Sequence, residues 1–377
     1  MSKTPHQPIR LMMTGGHITP AIATIEEVHA QHPDWEIVFI GRKTALEGYA
    51  THSEEYRLIR GLGLKFLPIS TGRLKREGGV SAVIALLKLP VGIVQAAWYI
   101  AWQKPSIIVS FGGYIALPVV LVAWVYRIPI VTHEQTTRPG LANRIIARIA
   151  TKICVSFPDT VTQFPSHTNL VVTGLPVRQS VFSVPKSSPF TLDPTFPLLF
   201  IVGGSTGSTS MNDVVFQALP ALLSRYTVVH QVGRISENSA KEVQEGLDGS
   251  VRDRYLPLPY IATDAYSFLL HKAAMIIGRS GANTVTEIAI AAKTAIFIPL
   301  PWSGGHEQYY NAKILQDAGS ALILEQKHVS ADSLVMHVHA MMEALPERSR
   351  KAKAFAVRIG HDGAKRFVAV IADILSV

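Results

Sequence analysis

Short apolar runs rich in β-branched residues recur along this chain, and stretches of helical character separate them. Gly and Pro bound most of these runs, as expected for strands that are buried on both faces. The alternation predicts parallel sheets covered by helices, which is the doubly wound α/β class. The predicted strands are Ile9–Met13, Glu36–Ile40, Ile107–Phe111, Pro129–His133, Ile153–Ser156, Leu170–Val172, Leu198–Val202, Thr227–Gln231, Met275–Ile277, Ala295–Pro299 and Ala321–Leu324.

The two halves of the chain begin in the same way. Leu11–Thr14 leads into Gly15-Gly16, and Leu199–Val202 leads into the turn Gly203–Gly207. A chain of 377 residues is long enough for two domains. The weak repeat therefore predicts two Rossmann-like domains, which the Pro-rich and strand-poor stretch Pro176–Pro197 would link.

We expect the first domain to cover residues 1–178 and the second to cover residues 179–359. A helix is predicted at Ala364–Leu375, within a C-terminal segment of about residues 360–377. This segment follows the last strand of the second half, and it either stays there or packs back on the first domain.

A Gly turn after a parallel strand lets the backbone approach a ligand, and the next helix offers free N–H groups to an anion. Neither turn matches the dinucleotide fingerprint G-x-G-x-x-G or the Walker A loop. Each turn is therefore either an anion site or a tight connection without a ligand. His17 follows the first turn, and Thr19 with Pro20 predicts a helix start there. At this sheet edge His17 is either a general base or a surface or capping residue.

Two further polar segments follow predicted strands of the second half. Arg279–Glu287 repeats the order of strand, turn and helix, and Glu287 lies far enough into the helix to accept hydrogen bonds from a ribose. His306–Ala312 is unusually polar for a helix start. Each segment also fits an ordinary helix N-terminus, where acids are favoured by the helix dipole. Their common position at one sheet edge is what favours a binding site.

Charge and cysteine content limit the function classes. Cys154 is the only cysteine, so an intramolecular disulfide and a cysteine-based zinc site are excluded. No two histidines have i, i+4 spacing, and no metal site is predicted. Of the net charge of +9, almost all (+8) falls in residues 1–180. This asymmetry predicts an anionic partner, either nucleic acid or an anionic membrane surface. Nucleic acid is disfavoured because no basic stretch interleaved with aromatic residues appears.

Two apolar stretches are long enough to be tested as membrane spans, Val80–Trp102 and Ser106–Tyr126. Lys88 interrupts the first, and the second divides into a strand, a Gly turn and a helix, so buried α/β elements are favoured. The N-terminal residues lack the apolar core of a signal peptide, which predicts a cytoplasmic location.

Seven short motifs occur in an order that resembles the MurG family, the N-acetylglucosamine transferases that convert lipid I to lipid II in peptidoglycan synthesis. The likeness extends over about residues 9–325. It implies the GT-B fold, two Rossmann-like domains facing a cleft, and a reaction without a metal or other cofactor. The motifs are Thr14-Gly15-Gly16-His17, Ser110-Phe111-Gly112-Gly113-Tyr114, His133-Glu134-Gln135, Gly174–Arg178, Gly203-Gly204-Ser205, Arg279–Ala282 with Glu287, and Gln308 with Asn311.

The resemblance implies that the second domain binds UDP-N-acetylglucosamine. Ser205 and nearby N–H groups would contact the pyrophosphate, with help from Arg178. The backbone at Ile261 would contact the uracil, and Glu287 would bind the ribose hydroxyls. Gln308 would bind the sugar hydroxyls. Arg279, at the matching strand end, would support this site.

The resemblance also implies an acceptor site in the first domain. His17 would take the proton from the muramyl 4-hydroxyl as that oxygen attacks the anomeric carbon with inversion. Thr136 and Thr206 stand where the family usually has Asn and Gln. The loops that would surround the acceptor contain Thr14, Gly15, Gly16, Gly112, Gly113, Tyr114, Glu134, Gln135 and Thr136.

The implied acceptor is a sugar on a polyprenyl pyrophosphate, so a peripheral position on the cytoplasmic face of the cell membrane is expected. The run Val80–Trp102 would then lie on the membrane, unless it is an ordinary core helix beside a solvated basic loop. The residues expected at that surface are Arg73, Lys75, Arg76 and Lys88, with Trp98, Tyr99 and Trp102 as interfacial anchors.

Three alternatives stay open from the sequence. The first is a related nucleotide-sugar transferase acting on another lipid, such as diacylglycerol. The second is a catalytically silent, membrane-bound protein that binds UDP-sugar. The third is a nicotinamide oxidoreductase, which the missing G-x-G-x-x-G disfavours.

Overall fold

The computed structural model describes residues 8–44, 52–70, 80–166, 168–183, 189–203 and 207–376. Within Val80–Gln103 the side chains are described from residue 89 onward. The chain divides into two compact units. The first contains Met1–Arg178 and Asp362–Val377, and the second contains Gln179–His361.

The first unit has a seven-stranded parallel sheet with the order β3-β2-β1-β4-β5-β6-β7. Its strands are β1 (Arg10–Thr14), β2 (Glu36–Gly41), β3 (Lys65–Pro68), β4 (Ile107–Ser110), β5 (Ile130–Glu134), β6 (Lys152–Val155) and β7 (Leu170–Val172). Its helices are α1 (Ile18–Gln31), α2 (Glu54–Gly61), α3 (Val80–Gln103), α4 (Ala116–Val125) and α5 (Leu141–Ile146).

The second unit has a six-stranded parallel sheet with the order β10-β9-β8-β11-β12-β13. Its strands are β8 (Leu198–Val202), β9 (Thr227–Gln231), β10 (Tyr255–Leu258), β11 (Met275–Gly278), β12 (Ala295–Phe297) and β13 (Ala321–Ile323). Its helices are α6 (Thr209–Leu223), α7 (Glu237–Glu245), α8 (Gly249–Arg252), α9 (Thr263–Lys272), α10 (Ala282–Ile290), α11 (Glu307–Asp317), α12 (Ala331–Glu343) and α13 (Leu345–Ile359).

The C-terminal helix α14 (Gly363–Leu375) belongs to the first unit. Phe367, Val368 and Ile371 are fully buried against one face of the first sheet, in the same apolar cluster as α1. Side chains of α3, α4 and α5 cover the other face. Because both faces are covered, the central strands have apolar residues on both faces, which explains the apolar runs in the sequence.

The doubly wound class and the strands expected from the sequence are confirmed, with ends that shift by one or two residues. Two strands escaped prediction, β3 and β10, and both lie at a sheet edge. The sequences KFLP and YLPL lack β-branched residues, and Pro257 in β10 is tolerated because an edge strand has one unpaired side. The helix start predicted at Thr19 was wrong. The N-cap is His17, and α1 begins at Ile18.

The membrane-span test has a clear outcome for the described residues. None of their helices combines the length with the apolar character that crossing a bilayer requires. The second apolar stretch forms β4, a turn and α4, as its pattern predicted. The first forms α3, which continues through Pro90.

Candidate active site

Each sheet has a point where the strand order reverses, and each predicted glycine turn follows a strand that flanks such a point. In the first unit the reversal falls between β1 and β4, and in the second it falls between β8 and β11. Ligands of open α/β sheets bind outside the carboxyl ends of the strands at such points. The two glycine turns follow β1 and β8, so they lie next to the crevices that this topology leaves.

The glycine loops after β1 and β4 pack directly on each other. Gly15, Gly112 and Gly113 have φ angles of 142°, 72° and 79°, which glycine adopts without strain. A Cβ atom on Gly15 would lie 2.8 Å from the backbone of Phe111, so this approach also needs glycine. The N–H of Gly16 donates to the carbonyl of Gly112 at 3.0 Å. The motif residues from two strands thus form one close-packed backbone surface.

Glu134, at the end of β5, is connected to the glycine loop after β4 through Asn143. Its side chain is 2% exposed, and Oε1 accepts from the N–H of Thr136 at 2.9 Å. The hydroxyl of Thr136 also lies 2.7 Å from Oε1. Oε2 accepts from Nδ2 of Asn143 at 2.5 Å, and Oδ1 of Asn143 accepts from the N–H of Gly113 at 3.3 Å. A buried carboxylate is thereby connected to the glycine loop through one amide side chain.

His17 lies at the N-terminus of α1, just after the first glycine turn, and is partly exposed. Burial lowers the pKa of its imidazole, while the charge of Glu134 acts in the opposite direction. The ring is therefore neutral at neutral pH and able to accept a proton. Glu134 would stabilise the imidazolium that proton transfer creates.

The other two residues of the His133-Glu134-Gln135 motif are buried and form hydrogen bonds to backbone carbonyls. His133 is fully buried, its Nε2 lies 2.9 Å from the carbonyl oxygen of Gly174, and burial lowers its pKa to about 4. A neutral ring therefore donates to that carbonyl. Nε2 of Gln135 donates to the carbonyl of His133 at 3.0 Å. These contacts tie the end of β5 to the segment after β7.

Thr14 and Tyr114 complete the motifs of the first unit. Thr14 ends β1 and is fully buried. The ring of Tyr114 faces Arg42, whose Cζ lies 5.5 Å from the ring centroid. Arg42 follows β2, so three neighbouring strand ends contribute to this edge.

In the second unit the segment between β8 and α6 is described at its two ends, Gly203 and Gly207. Ser205 and Thr206 lie outside the described residues, so the predicted contact of Ser205 stays a prediction. Gly207 has a φ angle of 77°, and a Cβ there would lie 2.8 Å from Cα of Gly233. Ser208 is the N-cap of α6. The first N–H groups of an α-helix lack partners within the helix, so this helix start, which follows the carboxyl end of β8, is suited to bind an anion.

Arg279 follows β11 and is 6% exposed. Its guanidinium donates to Oγ of Ser208 at 2.6 Å, to Oγ of Ser210 at 3.2 Å and to the carbonyl of Ile298 at 2.8 Å. All these partners are neutral. Burial lowers the pKa of Arg279 to about 10, so the side chain stays charged at neutral pH. A buried positive charge thus adds to the helix dipole at the start of α6.

The remaining predicted donor residues lie around the same sheet edge, except Arg178. Ile261 is 6% exposed and precedes α9, and Glu287 on α10 is 4% exposed. Oε2 of Glu287 accepts from the hydroxyl of Tyr266 at 2.8 Å. Oε1 of Gln308 accepts from the N–H of Leu300 at 3.0 Å, which shapes the loop after β12. Arg178 ends the first unit and is half-buried.

Sequence reasoning missed the residues that support the two turns from a distance. Asn143 is one, and the buried network of Asn212, His230 and Tyr255 is another. Nε2 of His230 contacts Oδ1 of Asn212 at 3.1 Å, and Nδ2 of Asn212 donates to the carbonyl of Val232 at 2.8 Å. These residues join the start of α6 to the end of β9. The sequence offered only a weak signal for them, an Asn within a predicted helix.

Among the described residues, no group of three or more His, Cys, Asp or Glu side chains could hold a metal ion. Cys154 is buried in the first sheet, and burial raises its pKa to about 12. The functional groups that the structure describes at the two sites are the imidazole of His17, backbone N–H groups, the guanidinium of Arg279 and the carboxyl groups of Glu134 and Glu287.

Comparisons with known proteins connect both units to glycosyltransferases. Residues 14–155 match the N-terminal domain model of glycosyltransferase family 28, and residues 198–367 match its C-terminal domain model. A curated protein of Legionella pneumophila (strain Paris) is 30% identical over 96% of this chain and 94% of its own length. A protein of Treponema pallidum (strain Nichols) is 33% identical over 85% of this chain and 83% of its own.

Both relatives are named UDP-N-acetylglucosamine–N-acetylmuramyl-(pentapeptide) pyrophosphoryl-undecaprenol N-acetylglucosamine transferase. The crystal structure of Acinetobacter baumannii MurG aligns with a TM-score of 0.70 and 26% identity, covering 97% of this chain and all of that one. The two parallel-sheet units are thus the GT-B fold that the resemblance implied. With this agreement in sequence, domain models and structure, the chain belongs to the MurG family of glycosyltransferases.

Proposed function

We propose that this chain transfers N-acetylglucosamine from UDP-N-acetylglucosamine to the muramyl 4-hydroxyl of lipid I, forming lipid II. The observation that carries this proposal is the 30% identity over 96% of the chain to a relative named for this reaction. The two reversal-point sites support it, because one presents a neutral histidine and the other a positively charged anion site.

In the second unit the diphosphate of the donor binds at the start of α6. The helix N–H groups and the charge of Arg279 stabilise it there, and Ser205 and Arg178 add contacts. Glu287 accepts hydrogen bonds from the ribose hydroxyls, and Gln308 donates to the sugar with its amide nitrogen. The carbonyl oxygen of Gln308 already accepts from the loop after β12.

In the first unit His17 acts as the general base. The acceptor oxygen attacks the anomeric carbon, the bond from that carbon to the diphosphate oxygen breaks, and the hydroxyl proton passes to the imidazole of His17. The electron pair of the broken bond leaves with UDP, whose added charge the α6 site stabilises. Attack from the face opposite the leaving group inverts the anomeric configuration.

A peripheral position on the cytoplasmic face of the membrane is the second part of the proposal, and an exposed apolar stripe on α3 supports it. Val91, Val94, Trp98 and Trp102 follow helical spacing and are 49–69% exposed. Nζ of Lys65 lies 4.0 Å from the ring centroid of Trp102, which adds a positive charge to the stripe. Aromatic side chains and basic groups together favour an anionic lipid surface.

Two details of the sequence-based membrane prediction change. Tyr99 is not an anchor, because it is 8% exposed and its hydroxyl donates to the carbonyl of Pro68. Arg73, Lys75 and Arg76 lie outside the described residues, as does the side chain of Lys88. Instead, Trp124 and Tyr126 at the end of α4, more than half exposed, present further aromatic surface.

The turnover experiment uses purified protein, radiolabelled UDP-N-acetylglucosamine and a short-chain lipid I analogue, with and without EDTA. We expect label to reach the lipid in both conditions. Binding of the donor without transfer to lipid I, but with transfer to another lipid such as diacylglycerol, would overturn the acceptor assignment. Donor binding without transfer to any lipid would instead indicate a catalytically silent protein that binds UDP-sugar.

The membrane experiment compares vesicle flotation of the wild type with that of the double variant Trp98→Ser, Trp102→Ser. We expect the variant to bind vesicles containing anionic lipid at least tenfold more weakly, because two large apolar side chains leave the interface. Trp302→Ser is the matched control, since Trp302 is 68% exposed in the second unit. Equal binding of all three proteins would place the membrane contact elsewhere.

A further inference from the structure

One cationic side chain, Arg42, lies beside the acceptor loops, and none of the roles assigned above uses it. Arg42 directly follows β2, which pairs in parallel with β1 on the side away from β4. Its Cζ is 5.5 Å from the ring centroid of Tyr114. Tyr114 follows Gly113, where a Cβ would lie 3.5 Å from the nitrogen of Gly16. Arg42 therefore lies at the same sheet edge as His17, one strand further out.

The backbone at Arg42 is held in place by the start of α2. Oγ of Ser53 donates to the carbonyl of Arg42 at 2.5 Å, and the N–H of Ser53 donates to the carbonyl of Lys43 at 2.9 Å. A bridge between Thr44 and His52 continues this pairing. Such support fixes the backbone that carries the Arg42 side chain, which lowers the entropy cost of binding a ligand.

Glu55 lies against Arg42 but does not neutralise it. A Cβ on Gly41 would overlap the carboxyl group of Glu55, so the absence of a side chain there makes room for this group. Burial raises the pKa of Glu55 to about 8, although the charge and backbone N–H of Arg42 lower it. At neutral pH the carboxyl group is therefore largely protonated. Within the described part of the chain, Nε of Arg42 is buried without a hydrogen-bond partner.

We propose that Arg42, packed on Tyr114 beside the acceptor loops, binds an oxyanion of the acceptor substrate. The inference rests on the proposed function, because lipid I supplies such groups in two places, its diphosphate and the carboxylates of its stem peptide. A guanidinium beside a neutral carboxyl group and an aromatic ring matches either group with charge-assisted hydrogen bonds. Arg42 is thereby an acceptor-binding residue and takes no part in proton transfer.

The test compares the KM for a lipid I analogue in Arg42→Gln, Arg42→Lys and the wild type. We expect Arg42→Gln to raise the acceptor KM about ten- to a hundredfold, since a charge-assisted contact is lost. Arg42→Lys should recover part of this loss. The KM for UDP-N-acetylglucosamine and the Kd for UDP should not change. Arg60→Gln is the matched control, because Arg60 is an exposed arginine of α2 in the same unit.

Modified acceptors identify the oxyanion. If the variant's defect disappears with a monophosphate carrier, Arg42 binds the diphosphate, and if it disappears with carboxamides on the stem peptide, it binds a carboxylate. An acceptor KM equal to that of the wild type in a folded Arg42→Gln protein would overturn the inference and leave the proposed function intact. A wild type that transfers to no acceptor would instead overturn the proposed function, and a lipid I analogue should then bind wild type and Arg42→Gln equally.

Discussion

The two reversal points share a topology but contain opposite buried charges. In the first unit the glycine loops rest on the carboxylate of Glu134 through Asn143. In the second unit the start of α6 rests on the guanidinium of Arg279. A buried anion near a histidine favours accepting a proton, and a buried cation near a helix start favours binding a diphosphate. The same topology thus carries a buried anion near one reversal point and a buried cation at the other, as the two proposed roles require.

The largest expected effect is on His17. His17→Ala should lower kcat about a hundred- to ten-thousandfold, because the reaction loses its general base. The donor KM should not change. Since the pKa of His17 is lowered, the wild-type rate should be constant near neutral pH and fall only below the ordinary imidazole range, as the ring takes up a proton. Steady-state kinetics between about pH 5 and about pH 9 measures both effects.

His29→Ala is the matched control for His17, because His29 is an exposed histidine on the same helix. It should behave as the wild type. A His17→Ala enzyme that loses donor affinity and kcat equally would show that His17 only shapes the site.

The second-largest effect is expected at Arg279, on the affinity for UDP. Arg279→Met should weaken UDP binding about ten- to a hundredfold while uridine, which has no phosphate, binds nearly as before. Calorimetric titration with both ligands separates an electrostatic role from a structural one. Arg225→Met, at an exposed arginine of the same unit, is the control. If UDP and uridine lose affinity equally, the guanidinium serves only to hold Ser208 and Ser210.

The positions of the two glycine turns could be predicted from the sequence, because each turn directly follows a short apolar run that forms a strand, β1 or β8. Prolines were harder to interpret. Pro20 lies in the first turn of α1, where helical N–H groups need no partner, so it permits a start at Ile18 as well as at Pro20 itself.

The supporting residues could not be found in the same way. Asn143 contacts Glu134 across a loop, and Arg42 contacts Tyr114 through strand pairing between distant parts of the chain. No local spacing records such contacts, because they depend on how the sheet is ordered. Buried asparagines within helices, such as Asn143 and Asn212, are the partial signal that remains.

The smallest expected effect tests the charge of Glu134, together with the hydrogen bond that its second carboxylate oxygen accepts from Asn143. Glu134→Gln keeps the size of the side chain but removes the charge that raises the pKa of His17. The pKa of His17 should fall further, so the acid limb of the kcat profile should move to lower pH. We also expect the plateau to drop about tenfold, because the imidazolium loses a stabilising charge.

Asn143→Ala provides the comparison for Glu134→Gln. It removes the link between Glu134 and Gly113 but leaves the carboxylate in place. This variant should lose activity without moving the acid limb, because the charge next to His17 is retained. If instead both variants leave the limb where the wild type has it, the buried anion acts through the glycine loops alone. The charge of Glu134 would then serve only to hold the glycine loops, whereas the charge of Arg279 would act on the ligand.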